Sequence, residues 1–143
     1  RWYRALLTTC QSGRAEHGLA LIEAARGRYR DALTRMQVAA RAYPADARIR
    51  NDLGVLYLYL QDDARAAFEL RTAHELDKDG AQPRFNLMLL ALLQGDLASW
   101  RDLGARWQPP AEVRSELLAT CLRVLSQRVS VAGTRNCPIN PQS

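Results

Sequence analysis

Apolar residues recur at intervals of three and four along most of the chain, and the whole pattern returns after 34 residues. A shift by this period aligns Leu19 with Leu53 and Leu87, and further apolar residues follow each of them at matching positions. Intervals of three and four residues are typical of amphipathic helices. Because a period of this length holds two helices and a turn, the sequence predicts a series of helical hairpins.

The repeat register gives the expected boundaries along the chain. Gly27, Gln61 and Gly95 fall at the turn between the two helices of successive copies. Pro109 and Pro110 end the third copy, because proline interrupts a helix. Beyond them, periodic apolar residues predict one more amphipathic helix, which we expect to cap the array. The expected segments are 1–12 for the end of an N-terminal helix, 13–46, 47–80 and 81–107 for three repeats with the last degenerate, 110–130 for the capping helix and 131–143 for an irregular tail.

The second copy resembles the tetratricopeptide repeat (TPR) in its key residues, which are Leu53, Gly54, Tyr57, Ala66, Leu70 and Ala73. The 34-residue period is also the TPR length. The first copy has Glu16 and Glu23 where this family prefers bulky apolar residues, and the third has Trp100 and Trp107 in place of small ones. We expect these two tryptophans to form a hydrophobic plug against the capping helix.

The TPR resemblance implies an all-α fold, a superhelical solenoid of about three helix-turn-helix repeats with a C-terminal capping helix. It also implies a non-catalytic protein-binding scaffold whose concave groove is lined by the first helix of each repeat. The predicted groove residues are His17, Leu21, Ala24, Asn51, Val55, Leu58, Tyr59, Phe85, Leu89, Leu92 and Leu93. This apolar set suits an amphipathic helix of a partner, with Tyr59 and Phe85 as anchors. The alternative is that the chain's own termini cover several of these residues.

The net charge of +5 comes from nineteen arginines and one lysine scattered among fifteen acidic residues. No aromatic residues interleave with the basic ones as a base-stacking platform would require. We therefore expect no nucleic acid among the partners. The chain also lacks phosphate-binding glycine loops and the motifs of hydrolases and metalloproteases, so we expect no enzyme activity, no cofactor and no metal. His17 and His74 are 57 residues apart and are interpreted as surface or packing residues.

The three cysteines lack the paired short spacing of a zinc site. Cys121 and Cys137 flank the end of the capping helix and the tail, so they form either a disulfide that pins the tail or two unrelated thiols. Cys10 follows a stretch that loosely resembles a lipoprotein box, but Arg4 interrupts the apolar core that such a signal needs. We interpret Cys10 as an ordinary cysteine at the end of a helix.

Two segments, 51–55 and 83–96, are similar to the TadD family of TPR lipoproteins from tight-adherence (Flp-type) pilus systems. The first reads Asn-Asp-Leu-Gly-Val, and the second runs from Pro-Arg-Phe-Asn-Leu to Gln-Gly-Asp. This resemblance implies a periplasmic protein, possibly tethered to the outer membrane by a lipid anchor upstream of the given chain. Its partner would then be a secretin or a pilus-assembly component, in a pilotin-like role. The alternative is a cytoplasmic TPR adaptor or chaperone of unknown client.

Overall fold

The computed structural model describes residues 12–128 and 136–142. This part of the chain contains seven α-helices and no strands. The helices are α1 (Ser12–Ala25), α2 (Tyr29–Ala42), α3 (Ala47–Tyr59), α4 (Asp63–Leu76), α5 (Ala81–Gln94), α6 (Leu97–Trp107) and α7 (Ala111–Gln127). The expected helix end before Ser12, together with Cys10, lies outside the described residues, as do residues 129–135 and 143.

The contacts divide the chain into two compact units, residues 1–79 and 80–143. The first unit contains α1–α4 and the second contains α5–α7. Helices α3 and α5 begin at Ala47 and Ala81, 34 residues apart, so the helix pairs follow the repeat seen in the sequence. The expected all-helical fold class is confirmed. Within the described part of the chain, each helix is too short or too polar to span a bilayer.

Three helices begin at an aspartate that caps the free backbone N–H groups of the first turn. Asp46, Asp62 and Asp96 accept hydrogen bonds of 3.0 to 3.4 Å from N–H groups in α3, α4 and α6. Burial acts to raise the pKa of Asp46, but its hydrogen bonds outweigh burial and the pKa lies below the usual value. The hydroxyl and the N–H of Ser99 lower the pKa of Asp96 in the same way. The ionised carboxylates therefore stabilise these helix starts.

The turn inside each hairpin passes through a left-handed residue. Gly27, Gln61 and Gly95 have φ values of 74°, 61° and 66°, and they are spaced by the 34-residue repeat. A side chain is disfavoured in this region because its Cβ crowds the following carbonyl oxygen. Gln61 therefore adopts a conformation that costs free energy, whereas the two glycines at the equivalent positions do not.

Small residues let the helices of the first unit approach closely. Ala32, Ala39, Ala66 and Ala73, the positions that the repeat register picked out, have no exposed surface. A Cβ placed on Gly54 would lie 2.7 Å from Cγ of Leu70, so α3 and α4 leave no room for a larger side chain there. The resulting hairpins bury their apolar faces against each other, as TPR hairpins require.

Ion pairs join the helices where the first unit carries charge inside its packing. Arg50 Nη1 donates to Glu69 Oε2 at 3.0 Å, and Arg50 Nε donates to the carbonyl oxygen of Pro44 at 2.9 Å. Arg35 Nη1 donates to Glu16 Oε2 at 3.1 Å. Glu16 is one of the two acids that depart from the TPR pattern, and its bond to α2 explains how α1 accommodates it.

The second unit is organised around α5, whose residues from Met88 to Leu93 are all buried. A helix that is apolar on every side belongs in the centre of its unit. Both α6 and α7 pack against it. Trp100 of α6 is buried, as expected of a hydrophobic plug, whereas Trp107 is only half-buried, with the Arg84 guanidinium 5.6 Å from its ring centroid.

The described part of the tail, residues 136–142, lies against the second unit and has no helix or strand. Cys137 forms a disulfide with Cys121 of α7, with the two Cα atoms 5.9 Å apart. Further along, Ile139 and Pro141 are buried. Gln142 Nε2 donates to Ser115 Oγ at 3.5 Å. The segment therefore runs back along α7, from the disulfide towards the start of that helix.

Candidate functional site

The predicted groove residues lie in both units. His17, Leu21 and Ala24 are on α1 and Asn51, Val55, Leu58 and Tyr59 are on α3, whereas Phe85, Leu89, Leu92 and Leu93 are on α5. The helices α1, α3 and α5 are the first helices of their hairpins. The two sets belong to different units and are described separately.

A hydrogen bond joins α1 and α3. The Nε2 atom of His17 lies 2.7 Å from Oδ2 of Asp52, and both side chains are partly buried. Since an ionised carboxylate only accepts, the imidazole N–H is the donor. The sequence analysis missed Asp52, although its separation of 35 residues from His17, one repeat plus one residue, places it on the neighbouring first helix.

Apolar side chains flank this hydrogen bond. Leu21 follows His17 by one helical turn and Val55 follows Asp52 by one turn, so each pair shares a helix face. Leu21 is 47% exposed, and Val55 is partly exposed. We call these four residues the α1–α3 face. It combines a polar pair with an accessible aliphatic side chain, which is the chemistry that a partner's amphipathic segment can bind.

Tyr59, one of the two predicted anchors, is already engaged inside the first unit. Its ring stacks on that of Tyr29, with the centroids 4.5 Å apart and the planes inclined by 13°. Burial and, to a lesser extent, the nearby Tyr59 raise the pKa of Tyr29. Both tyrosines are half-buried. The stack fixes the start of α2 against the end of α3, so Tyr59 presents only part of its ring to a partner.

Five of the predicted groove residues have buried side chains, namely Asn51, Leu58, Leu89, Leu92 and Leu93. Leu58 and Leu92 are both completely buried and are separated by the 34-residue repeat. This repeat position is therefore a core position in both units and not a surface of the groove. Phe85, the second predicted anchor, is half-buried. In this conformation the surface available to a partner is smaller than the sequence predicted.

The first unit also has a charged cleft of about 410 Å³ between α1 and α2. Its lining includes Glu16, Asp31 and Arg35, with the pair Glu16–Arg35 inside it. Charged groups that neutralise one another leave little net field for an ionic ligand. Within the described residues, no cluster of three or more histidine, cysteine, aspartate or glutamate side chains could hold a metal ion.

The sequence is similar to the TPR repeat-containing protein PA4299 of Pseudomonas aeruginosa, with 45% identity over 106 residues. Those residues are 74% of this chain, and they fall on a structure built of hairpins with a 34-residue period. Its fold is the TPR fold. No family model matches the chain. The matched region spans 43% of the Pseudomonas protein, so less than half of that protein has its counterpart here.

Proposed function

We propose that this chain is a non-catalytic scaffold that binds a segment of another protein through the α1–α3 face. The observation that carries the proposal is the exposed side chain of Leu21 beside the His17–Asp52 hydrogen bond, on first helices of adjacent TPR hairpins. TPR arrays use the surfaces of their stacked repeats to bind extended partners. Leu21 and Val55 would receive an apolar residue of the partner, and Asp52 would receive a neighbouring basic or hydrogen-bonding group.

We further propose that the scaffold acts in the periplasm, possibly tethered to the outer membrane, and assists a tight-adherence pilus or secretin system in a pilotin-like role. The support is the resemblance of segments 51–55 and 83–96 to TadD lipoproteins. A second support is the Cys121–Cys137 disulfide, because disulfides persist mainly in oxidising compartments. The proposed partner is a segment of a secretin or of another pilus-assembly component.

The alternative is a cytoplasmic TPR adaptor or chaperone. The two proposals differ in the thiol state of the protein in its native host. Trapping free thiols with an alkylating agent as the cells are broken, followed by intact-mass measurement, separates them. A mass showing Cys121 and Cys137 protected from alkylation supports the periplasm, whereas alkylation of both supports the cytoplasm.

The binding proposal is tested with the secretin of the same pilus system as the probe. We expect Leu21→Asp to weaken its binding at least tenfold, since a charge would replace the exposed apolar contact. Leu76→Asp is the matched control, because Leu76 is similarly exposed, 43% against 47%, but lies at the end of α4, away from the α1–α3 face. Circular dichroism would verify that both variants keep their helical content.

Equal losses from both substitutions would mean that general surface charge and not the α1–α3 face determines binding. Unchanged binding by Leu21→Asp would place the contact elsewhere. The predicted anchors are then examined with Tyr59→Ala and Phe85→Ala, each with its unfolding midpoint, because removing Tyr59 also removes its stack on Tyr29.

A further inference from the structure

The C-terminal segment, residues 136–142, occupies a groove formed by α6 and α7. Pro141 is completely buried and lies in the same lining as Trp100, Pro109 and Arg114. Ile139, two residues earlier, is also buried. Two apolar side chains that alternate with the exposed Asn140 are typical of an extended peptide bound by its side chains. The segment is therefore arranged as a bound ligand would be.

Space for a larger ligand remains beside this segment. A cleft of about 200 Å³ borders Pro141 and is walled by Trp100, Gly104 and Arg114. Arg114 is held in place by a bond of 3.1 Å from its Nε to the carbonyl oxygen of Pro109. A Cβ added to Gly104 would have no atom within 4 Å, so this wall is open. The groove is wider than the segment that it holds.

The disulfide attaches the segment to the groove at one end. Cys121 is completely buried on α7, whereas Cys137 is only half-buried. The chain between them, 16 positions long, includes residues outside the described part. Closing a loop of this size by a disulfide favours the closed form by roughly 100-fold in the chain-entropy model. The bond therefore sets how often the groove is open.

We propose that the α6–α7 groove is a peptide-binding site whose resident ligand, segment 136–142, is locked in place by the Cys121–Cys137 disulfide and released when that bond is reduced. The chemical class of ligand is an extended peptide with an aliphatic residue and a proline two positions later, as in Ile139 and Pro141. The proposal is independent of the partner that binds the α1–α3 face.

The reducing step needs a dithiol protein or a small dithiol. Its thiolate attacks Sγ of Cys137, the more accessible sulfur, and Cys121 leaves as a thiolate that takes up a proton. The second thiolate of the reductant then attacks the mixed disulfide and releases Cys137. Two electrons and two protons pass to the protein, and the reductant leaves as its own disulfide.

The test uses the full chain and a fluorescent peptide of residues 136–142 carrying Cys137→Ser. The chain's own segment competes at a high effective concentration, so Ile139→Asp is introduced into the chain to weaken it. We expect the reduced Ile139→Asp chain to bind the peptide at least tenfold more tightly than the oxidised form of the same variant. Asn136→Asp is the matched control, since it adds the same charge at an exposed position and should bind no better than the reduced wild type.

Hydrogen exchange of the wild-type chain gives a second readout that needs no variant. On reduction we expect amides in 136–142 to exchange at least tenfold faster, while those of α1–α4 keep their rates. Unchanged exchange in this segment overturns the proposal, and so does a reduced Ile139→Asp chain that retains its helical content but fails to bind the peptide. A dimer that forms on reduction would overturn it too, because the segment of a second copy would then be the occupant.

Discussion

At the scale of single residues, the TPR hairpins depend on positions where a side chain must be small or absent. Ala66 has no exposed surface, and Gly54 faces Leu70 with no room for a Cβ. At the turns the requirement is on the backbone, and Gln61 satisfies it with a left-handed φ where Gly27 and Gly95 stand in the other copies. Close packing and turn geometry therefore restrict residue type independently of each other.

Ala66→Leu should lower the free energy of unfolding by about 1 to 3 kcal/mol, because the added atoms enter a packed contact between helices. Ala64→Leu is the control, as Ala64 lies on the same helix with its side chain exposed. Urea unfolding followed by circular dichroism measures both. Equal unfolding midpoints for Ala66→Leu and the wild type would show that α4 has been assigned the wrong register.

Gln61→Gly should raise the free energy of unfolding by about 0.5 to 1 kcal/mol, since it relieves the left-handed strain at the turn. Gln94→Gly serves as the comparison because Gln94 is the last residue of α5 and glycine is a poor helix former. That substitution should lower stability, so the two changes are expected to have opposite signs. A loss of stability for Gln61→Gly would contradict the strain argument.

At the scale of the helix, the starts are fixed by side chains and the ends by the turns. Asp46, Asp62 and Asp96 cap α3, α4 and α6. Their hydrogen bonds lie within three residues of the aspartate, which is why such caps are visible in a sequence. By contrast, α5 has no side-chain cap, and its position depends on the burial of its apolar faces in the second unit. Helices of the same fold thus rely on different interactions.

Asp46→Ala should lower the free energy of unfolding by about 1 kcal/mol at pH 7 through loss of the cap. Because the pKa of Asp46 is lowered on folding, its carboxylate contributes fully above the unfolded pKa of about 3.9. The contribution is lost as the pH falls through the lower folded value. The difference in urea midpoint between variant and wild type should therefore shrink between pH 7 and pH 2. A difference that does not change with pH would exclude the charged cap.

At the scale of the whole molecule, the chain forms two compact units, and the second is closed by its C-terminal segment. Terminal repeats of such arrays need a cover for the apolar face that has no following repeat. Here α7 and the segment that holds Ile139 and Pro141 contribute that cover. The disulfide strengthens it by restricting the unfolded chain more than the folded one.

The Cys121–Cys137 bond should be intact in protein prepared without reductant. Intact mass after alkylation should then show Cys10 as the modified cysteine, and the double variant Cys121→Ser, Cys137→Ser should lose about 3 kcal/mol of stability. Cys10→Ser is the control and should leave the unfolding midpoint of the oxidised protein unchanged. Two further alkylated thiols in the native protein would contradict the bond.

The sequence alone determined the repeat, the helices and the turns, because these depend on interactions between residues close along the chain or on a period that copies itself. The 34-residue register identified the buried alanines and the position shared by Gly27, Gln61 and Gly95. Only the tertiary structure decided which apolar residues remain accessible. Leu58 and Leu21 belong to the same predicted groove, yet one is buried and the other exposed.

The same limit applies to the contacts that give the candidate sites their chemistry. The His17–Asp52 hydrogen bond and the Tyr29–Tyr59 stack join residues at least 30 positions apart. Whether such pairs meet is set by how the hairpins pack. The docking of Ile139 and Pro141 likewise depends on a groove that exists only after α6 and α7 have folded together. Local pattern fixes where a helix lies along the chain, and packing between distant segments fixes which of its side chains a ligand can reach.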